Sequence, residues 1–349
     1  MKESLFLLLG CLVGCLKGDY SVTFHSNGGD ADSTKLYVRT DFGIGGQPNL
    51  QALDTVRIFL NDGAPNPQLL NNRTCGANNY NPSFSPTFKW TSSFPGGVYG
   101  TESIIFGDPI VLNDTKIRVL NDDCNPDNSF VSLRPNQGGN DFTFLGDFAV
   151  QQPNPIIVIN FEQIGDNGTL LTNGTIAVAN KATNLCQNDW AYMPAKEVDN
   201  HDSWSLEVEQ LTYNKDFLSS PINAKLSIDS YNIYLPEPYF TKLVKQLGIS
   251  TDGFVDCNVS TNNIVILKLN GSYVKLGPKE YLDHSTVAQY GLCKSRFRCQ
   301  QSINSYLTLP LTIFRNYCLL LDYKQKQIGV ALSTKQTAES TASFELFKD

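Results

Sequence analysis

From Leu36 to Tyr323 the apolar residues of this chain come in short β-branched and aromatic runs separated by clusters of Gly, Pro, Asn and Asp. Leu36–Thr40, Thr55–Leu60, Ile104–Ile105 with Ile110–Leu112, Ile156–Ile159, Ser205–Leu211, Ile264–Leu269 and Leu319–Tyr323 are the clearest. Runs of that length with turn residues between them read as strands of an all-β sandwich or barrel. One segment breaks the pattern. Pro238–Gly248 has a helical period, with Phe240, Leu243, Val244 and Leu247 on one face, Pro238 in the first turn and Gly248 as the stop. With 41% apolar and 17% charged residues in 349, the chain can bury a large core.

Residues 1–18 read as a secretory signal peptide. Lys2 precedes an apolar run, Leu5 to Leu16, broken only by Gly and Cys, and small residues end it near Gly18. A buried N-terminal strand or helix is the alternative, and Leu12-Val13-Gly14-Cys15 is a weaker match to a bacterial lipoprotein box. No second apolar run reaches spanning length, so no integral membrane segment is expected once the signal is removed. A net charge of −7 without a basic cluster argues against nucleic acid or an anionic membrane as partner. Seven of nine cysteines lie beyond the signal, and none has the C-x-x-C spacing of a zinc or redox motif, so neither metal nor cofactor is expected. Asn-X-Ser/Thr sequons occur at Asn72, Asn113, Asn167, Asn173, Asn258 and Asn270. With the signal and the cysteines they point to a secreted or endolysosomal glycoprotein.

Two strand-like runs carry the functional question. Val56-Arg57-Ile58-Phe59-Leu60-Asn61-Asp62-Gly63 is followed by Ala224-Lys225-Leu226-Ser227-Ile228-Asp229-Ser230, with Asn61 and Ser227 166 positions apart. Around them lie Gly43-Ile44-Gly45-Gly46-Gln47, Tyr80-Asn81-Pro82 with Ser85 and Thr87, Tyr99-Gly100-Thr101-Glu102-Ser103, Phe144-Leu145-Gly146, Ala224 to Pro236 and Leu311 to Ala331. In that order these blocks resemble the pepsin-like aspartic proteases over nearly the whole length after the signal. The resemblance implies an all-β, bilobal fold with a central cleft: residues 19–200 as N-terminal lobe and 201–349 as C-terminal lobe, the border falling near Asp199–Ser205. It implies a monomer, a flap tyrosine at Tyr99 with Gly100 and Thr101 beside it, and a disulfide between Cys257 and Cys293. Cys75–Cys124 is the second expected pair and Cys318 the best candidate for a buried free thiol.

The family cuts peptides with two carboxylates sharing one proton, one in each Asp-Thr-Gly or Asp-Ser-Gly turn. At those positions this chain has Asn61 and Ser227. An amide cannot accept the proton and a lone hydroxyl has no useful pKa, so the leading reading is an inactive homologue, a pseudoprotease that binds peptide or protein in its cleft. Slipping the register offers Asp62 and Asp229 as an alternative dyad of an active endopeptidase. Those turns would read Asp-Gly-Ala and Asp-Ser-Tyr, with a bulky Tyr231 where a tight turn needs Gly. A structural or interaction protein with a vestigial cleft is the third reading.

Overall fold

The computed structural model describes residues 20–334 apart from 28–34, 43–50, 60–67, 71–79, 108–109, 122–129, 136–142, 164–171, 183, 199–200, 215, 220, 229, 260–262, 301–305 and 311–316. The architecture is all-β, as the spacing of apolar runs predicts. Thirteen strands form one sheet, in the order Ala191–Pro194, Gln327–Leu332, Tyr317–Asp322, Ile156–Gln163, Thr172–Val178, Tyr20–Asn27, Lys35–Phe42, Gln51–Phe59, Phe130–Ser132, Gln68–Leu70, Ile110–Leu120, Gly97–Phe106 and Lys89–Phe94. The lobe border expected at 199–200 lies outside the described residues. Strands from well beyond it, Tyr317–Asp322 and Gln327–Leu332, are hydrogen-bonded into the same sheet as Tyr20–Asn27.

Three smaller sheets complete most of the second half. One has the order Ser205–Val208, Ile222–Ser227, Leu307–Pro310, Ile233–Pro236, Phe297–Gln300. The next runs Asp216–Ser219, Gln210–Tyr213, Val265–Leu269, Ser272–Leu276. The last runs Phe254–Val255, Cys293–Ser295, Leu282–Asp283.

Burial follows the side-chain period of two. In Ile222–Ser227, Ile222, Ala224 and Leu226 are buried while Asn223, Lys225 and Ser227 face the other way and are half-buried. Tyr317–Leu321 is buried at every position because both of its faces are covered. Tyr317, Leu319 and Leu321 join the main core, whereas Cys318 and Leu320 pack with Ile156, Val158, Ala177, Cys186 and Trp190 in a second, smaller one. That second core explains the cysteine that sequence reading misassigned. Cys318, expected to be a free thiol, is bonded to Cys186, which a β-bridge to Ser333 holds beside it. The loop closed spans 132 residues, which in the chain-entropy model destabilises the unfolded chain by about 5 kcal/mol. Cys257 and Cys293 are also bonded, Cys299 is a half-buried free thiol, and Cys75 and Cys124 lie outside the described residues.

The helix runs Glu237–Leu247, one residue earlier than its period suggests, between Pro236 as N-cap and Gly248 in the left-handed region at φ 69°. Leu243 and Leu247 are its buried face. A short second helix, Phe144–Val150, is fixed from the other half of the chain. A Cβ at Gly146 would stand 2.5 Å from Thr143 Oγ1 and 2.7 Å from the Tyr323 ring, so only glycine fits there. Tyr323 Oη and Trp204 Nε1 both donate to the Leu133 carbonyl, at 2.6 and 2.5 Å, with their rings edge to face.

Glu102 is fully buried. Its carboxylate accepts from the hydroxyls of Tyr80 and Thr87 and, at 2.8 Å, from the Ser103 amide. Three donors are what a desolvated carboxylate requires. Burial, and then the neighbouring Glu102, drive the Tyr80 phenol far above its ordinary pKa, and burial does the same to Tyr281, Tyr317 and Tyr323.

Two outcomes follow for stability. Tyr80→Phe deprives a buried charge of a donor and should cost about 1–3 kcal/mol in urea unfolding, an effect that largely vanishes in a Glu102→Leu background. The raised tyrosines make stability complete below about pH 10, where the unfolded phenols are still protonated, and make it fall as pH climbs from there towards the folded values. An alkaline titration should therefore show these tyrosinates appearing only as the far-UV dichroism is lost.

Candidate functional site

The sheet order holds a motif used twice. Gln51–Phe59 lies parallel to Phe130–Ser132, which makes an antiparallel contact with Gln68–Leu70, and that strand runs parallel to Ile110–Leu120. In the second half Ile222–Ser227 lies parallel to Leu307–Pro310, which makes an antiparallel contact with Ile233–Pro236, and that strand runs parallel to Phe297–Gln300. In each case a later strand is threaded between two strands joined by a turn. In the chain, residues 60–67 join the first pair and 228–232 the second, and Ser227 ends the strand that leads into the second connection.

Residues 162–333 match a family described as eukaryotic aspartyl protease. No curated protein matches the chain. Residues 162–333 belong to the pepsin-like aspartic protease family. The family match begins at residue 162, so in the first half the assignment leans on the repeated strand arrangement.

Ser227 closes its strand half-buried, in register with Pro310. Asn61, Asp62 and Asp229 lie outside the described residues. The turn after Ser227 is packed from within: Ile228, Tyr231 and Asn232 are all 2% exposed, and the Asn232 amide donates to Ser230 Oγ at 3.0 Å. Tyr231, whose bulk counted against a slipped register, is given room by the interior. The Arg296 guanidinium lies 5.3 Å from its ring centre, and Arg296 reaches the equally buried Asp283 at 3.7 Å. Asp283 also accepts from the Ser285 amide at 3.0 Å and its hydroxyl at 2.6 Å. Sequence reading missed this Tyr231–Arg296–Asp283 stack, because nothing local ties three residues so far apart.

Tyr99, Gly100 and Thr101 occupy the strand Gly97–Phe106, with neighbours on both sides. Lys89 pairs with Thr101 and Trp90 with Gly100 on one side; Ile117 pairs with Gly100 and Lys116 with Thr101 on the other. The chain turns at Pro95–Gly96, where Gly96 has φ 86°, rather than within Tyr99–Ser103. The reason is at hand in Glu102. The family's Tyr-Gly-Thr-Gly-Ser has glycine there, whereas here a side chain tied to Tyr80 and Thr87 holds the segment extended, with a bulge directly after it. Tyr99 is 37% exposed and packs on Phe94 at 4.7 Å, with Arg118 over the opposite ring partner at 4.6 Å. A sequence signal for the pairing existed: Tyr80 stands where the family's Phe-x-Pro segment has Phe, and Glu102 where its flap has Gly.

Of the sequon asparagines, Asn113, Asn173, Asn258 and Asn270 are exposed, and Asn72 and Asn167 lie outside the described residues. Asn270 sits at φ 45° in a tight hairpin and its Nδ2 donates to the Tyr192 carbonyl at 2.8 Å.

Replacing Arg296 by Met should destabilise the protein by about 3–5 kcal/mol in urea, because it leaves Asp283 as an uncompensated buried charge. Adding Asp283→Asn should recover a substantial part, and equal losses in single and double variants would show that Arg296 acts through Tyr231 alone.

Proposed function

We propose that this family member is a pseudoprotease, exported through its N-terminal signal, that binds an extended peptide or protein segment without cutting it. The reading is carried by Ser227: a hydroxyl ends the strand that in the family delivers an aspartate, at a half-buried position in register with Pro310. The matching turn of the first half has Asn61 in the sequence. Without a pair of carboxylates sharing a proton there is no group to take the proton from the attacking water and none to polarise the scissile carbonyl. A monomeric glycoprotein of a secretory or endolysosomal compartment agrees with the two disulfides and the exposed sequons.

The test is cleavage of denatured globin from acid to neutral pH, with and without a statine-type inhibitor. Wild type should release no acid-soluble peptide. Restoring activity should need Asn61→Asp and Ser227→Asp together, with Ile228→Thr and Asp229→Gly to rebuild the second turn; either aspartate alone should stay inert. Cleavage by wild type near about pH 4 that Asp62→Asn or Asp229→Asn abolishes would overturn the reading and make those two carboxylates the dyad of an active enzyme.

A further inference from the structure

The three-stranded sheet of the second half gathers metal-ligating side chains that no part of the proposed peptide-binding role uses. Cys293–Ser295 is its central strand. On one side Val255 is opposite Cys293, with Cys257 two residues further along. On the other Asp283 is opposite Lys294, so the next residue, His284, comes level with Cys293. His284 Nδ1 lies 3.2 Å from Cys293 Sγ, and the ligand atoms of Cys257, His284 and Cys293 all fall within 4.8 Å of one another. Among the described residues this is the one place where three such atoms converge.

We propose that these residues form a redox-gated zinc site: a disulfide when oxidised, and a Cys2His ligand set for one Zn2+ once a dithiol has reduced the pair. Cys257 is half-buried and Cys293 fully buried, so the reductant's thiolate attacks Cys257 Sγ. The S–S bond breaks and Cys293 leaves as a thiolate beside His284. The reductant's second thiol, losing its proton, then displaces Cys257 and closes the reductant's own disulfide. Two electrons have moved to the protein sulfurs and two protons to solvent. Zinc takes ligand atoms at about 2.3 Å for sulfur and about 2.0–2.1 Å for nitrogen, which sets them about 3.5–3.8 Å apart in a tetrahedron. Reduction must part the two sulfurs to reach that spacing, whereas His284 Nδ1, 3.2 Å from Cys293 Sγ, already stands close to it.

Two of the ligands are held side by side independently of the S–S bond. Thr286 Oγ1 donates within hydrogen-bonding distance of the Asp283 carbonyl at 3.1 Å and the Leu292 carbonyl at 2.9 Å, and accepts from the Lys294 amide at 3.1 Å. The turn carrying His284 is thereby fastened to the strand carrying Cys293. By contrast, Cys186 and Cys318 are both buried, and among the described residues no third ligand converges on them.

The experiment reduces the whole chain with a phosphine, removes the reagent, and measures Zn2+ uptake against a chromophoric chelator, with Co2+ as a spectroscopic substitute. Reduced wild type should bind one Zn2+ and give a thiolate-to-cobalt charge-transfer band; the oxidised chain should do neither. His284→Ala should weaken binding by more than about tenfold. Cys257→Ser should abolish it, and Cys299→Ser should leave it unchanged. Zinc uptake that survives Cys257→Ser, no uptake by reduced wild type, or loss of near-UV dichroism on reduction before any metal is added would each sink the proposal.

Discussion

Leu307–Pro310 runs between Ile222–Ser227 and Ile233–Pro236 and is hydrogen-bonded to both, so the turn joining its two neighbours cannot close into a tight hairpin. Adjacent strands lie about 4.8 Å apart, and five residues, 228–232, must therefore cross close to 10 Å of sheet. The crossing fixes where Ser227 ends and where Ile233 begins. Phe130–Ser132 imposes the same constraint between Gln51–Phe59 and Gln68–Leu70. The position of Ser227 is thus set by a strand far away in sequence, and the chemistry at the strand's end can change while its place in the sheet does not.

Glu102 and Asp283 are buried where donors are dense. Glu102 has two hydroxyls and an amide, and Asp283 has a guanidinium as well as Ser285. Both pairings are long-range in sequence, and both alter a backbone segment near the candidate site. Glu102 straightens the stretch that in the family makes a hairpin tip, and Asp283 holds the arginine on which Tyr231 rests.

How far the sequence could be read tracks the range of the interactions involved. Strands announced themselves through local alternation, and the helix through Phe240, Leu243, Val244 and Leu247 between a proline and a glycine. The Cys257–Cys293 bridge was reachable through the family resemblance. Cys318 was misread because a cysteine in a continuous apolar strand looks inert; its bond depends on a second small core on the far face of that strand, which no local pattern shows. Glu102 was similarly opaque, since an exposed and a buried glutamate look alike until Tyr80 is seen to face it. The strand that ends at Ser227 was legible because Ala224-Lys225-Leu226-Ser227 alternates apolar and polar residues.

The register with Pro310 adds a further consideration at that position. Proline brings no amide hydrogen, so at Ser227 the neighbouring strand offers one donor fewer than an ordinary residue would. A hydroxyl can use whatever acceptor or donor is at hand, and its demands are small. A carboxylate in the same place would need two or three donors, the number that Glu102 has elsewhere in the chain. Next along the chain, Ile228 and Tyr231 turn their side chains into the interior and bring no polar group to that position. Acid–base chemistry at this turn therefore requires a donor set as well as an aspartate, and the residues around position 227 decide whether a proton can be cycled there.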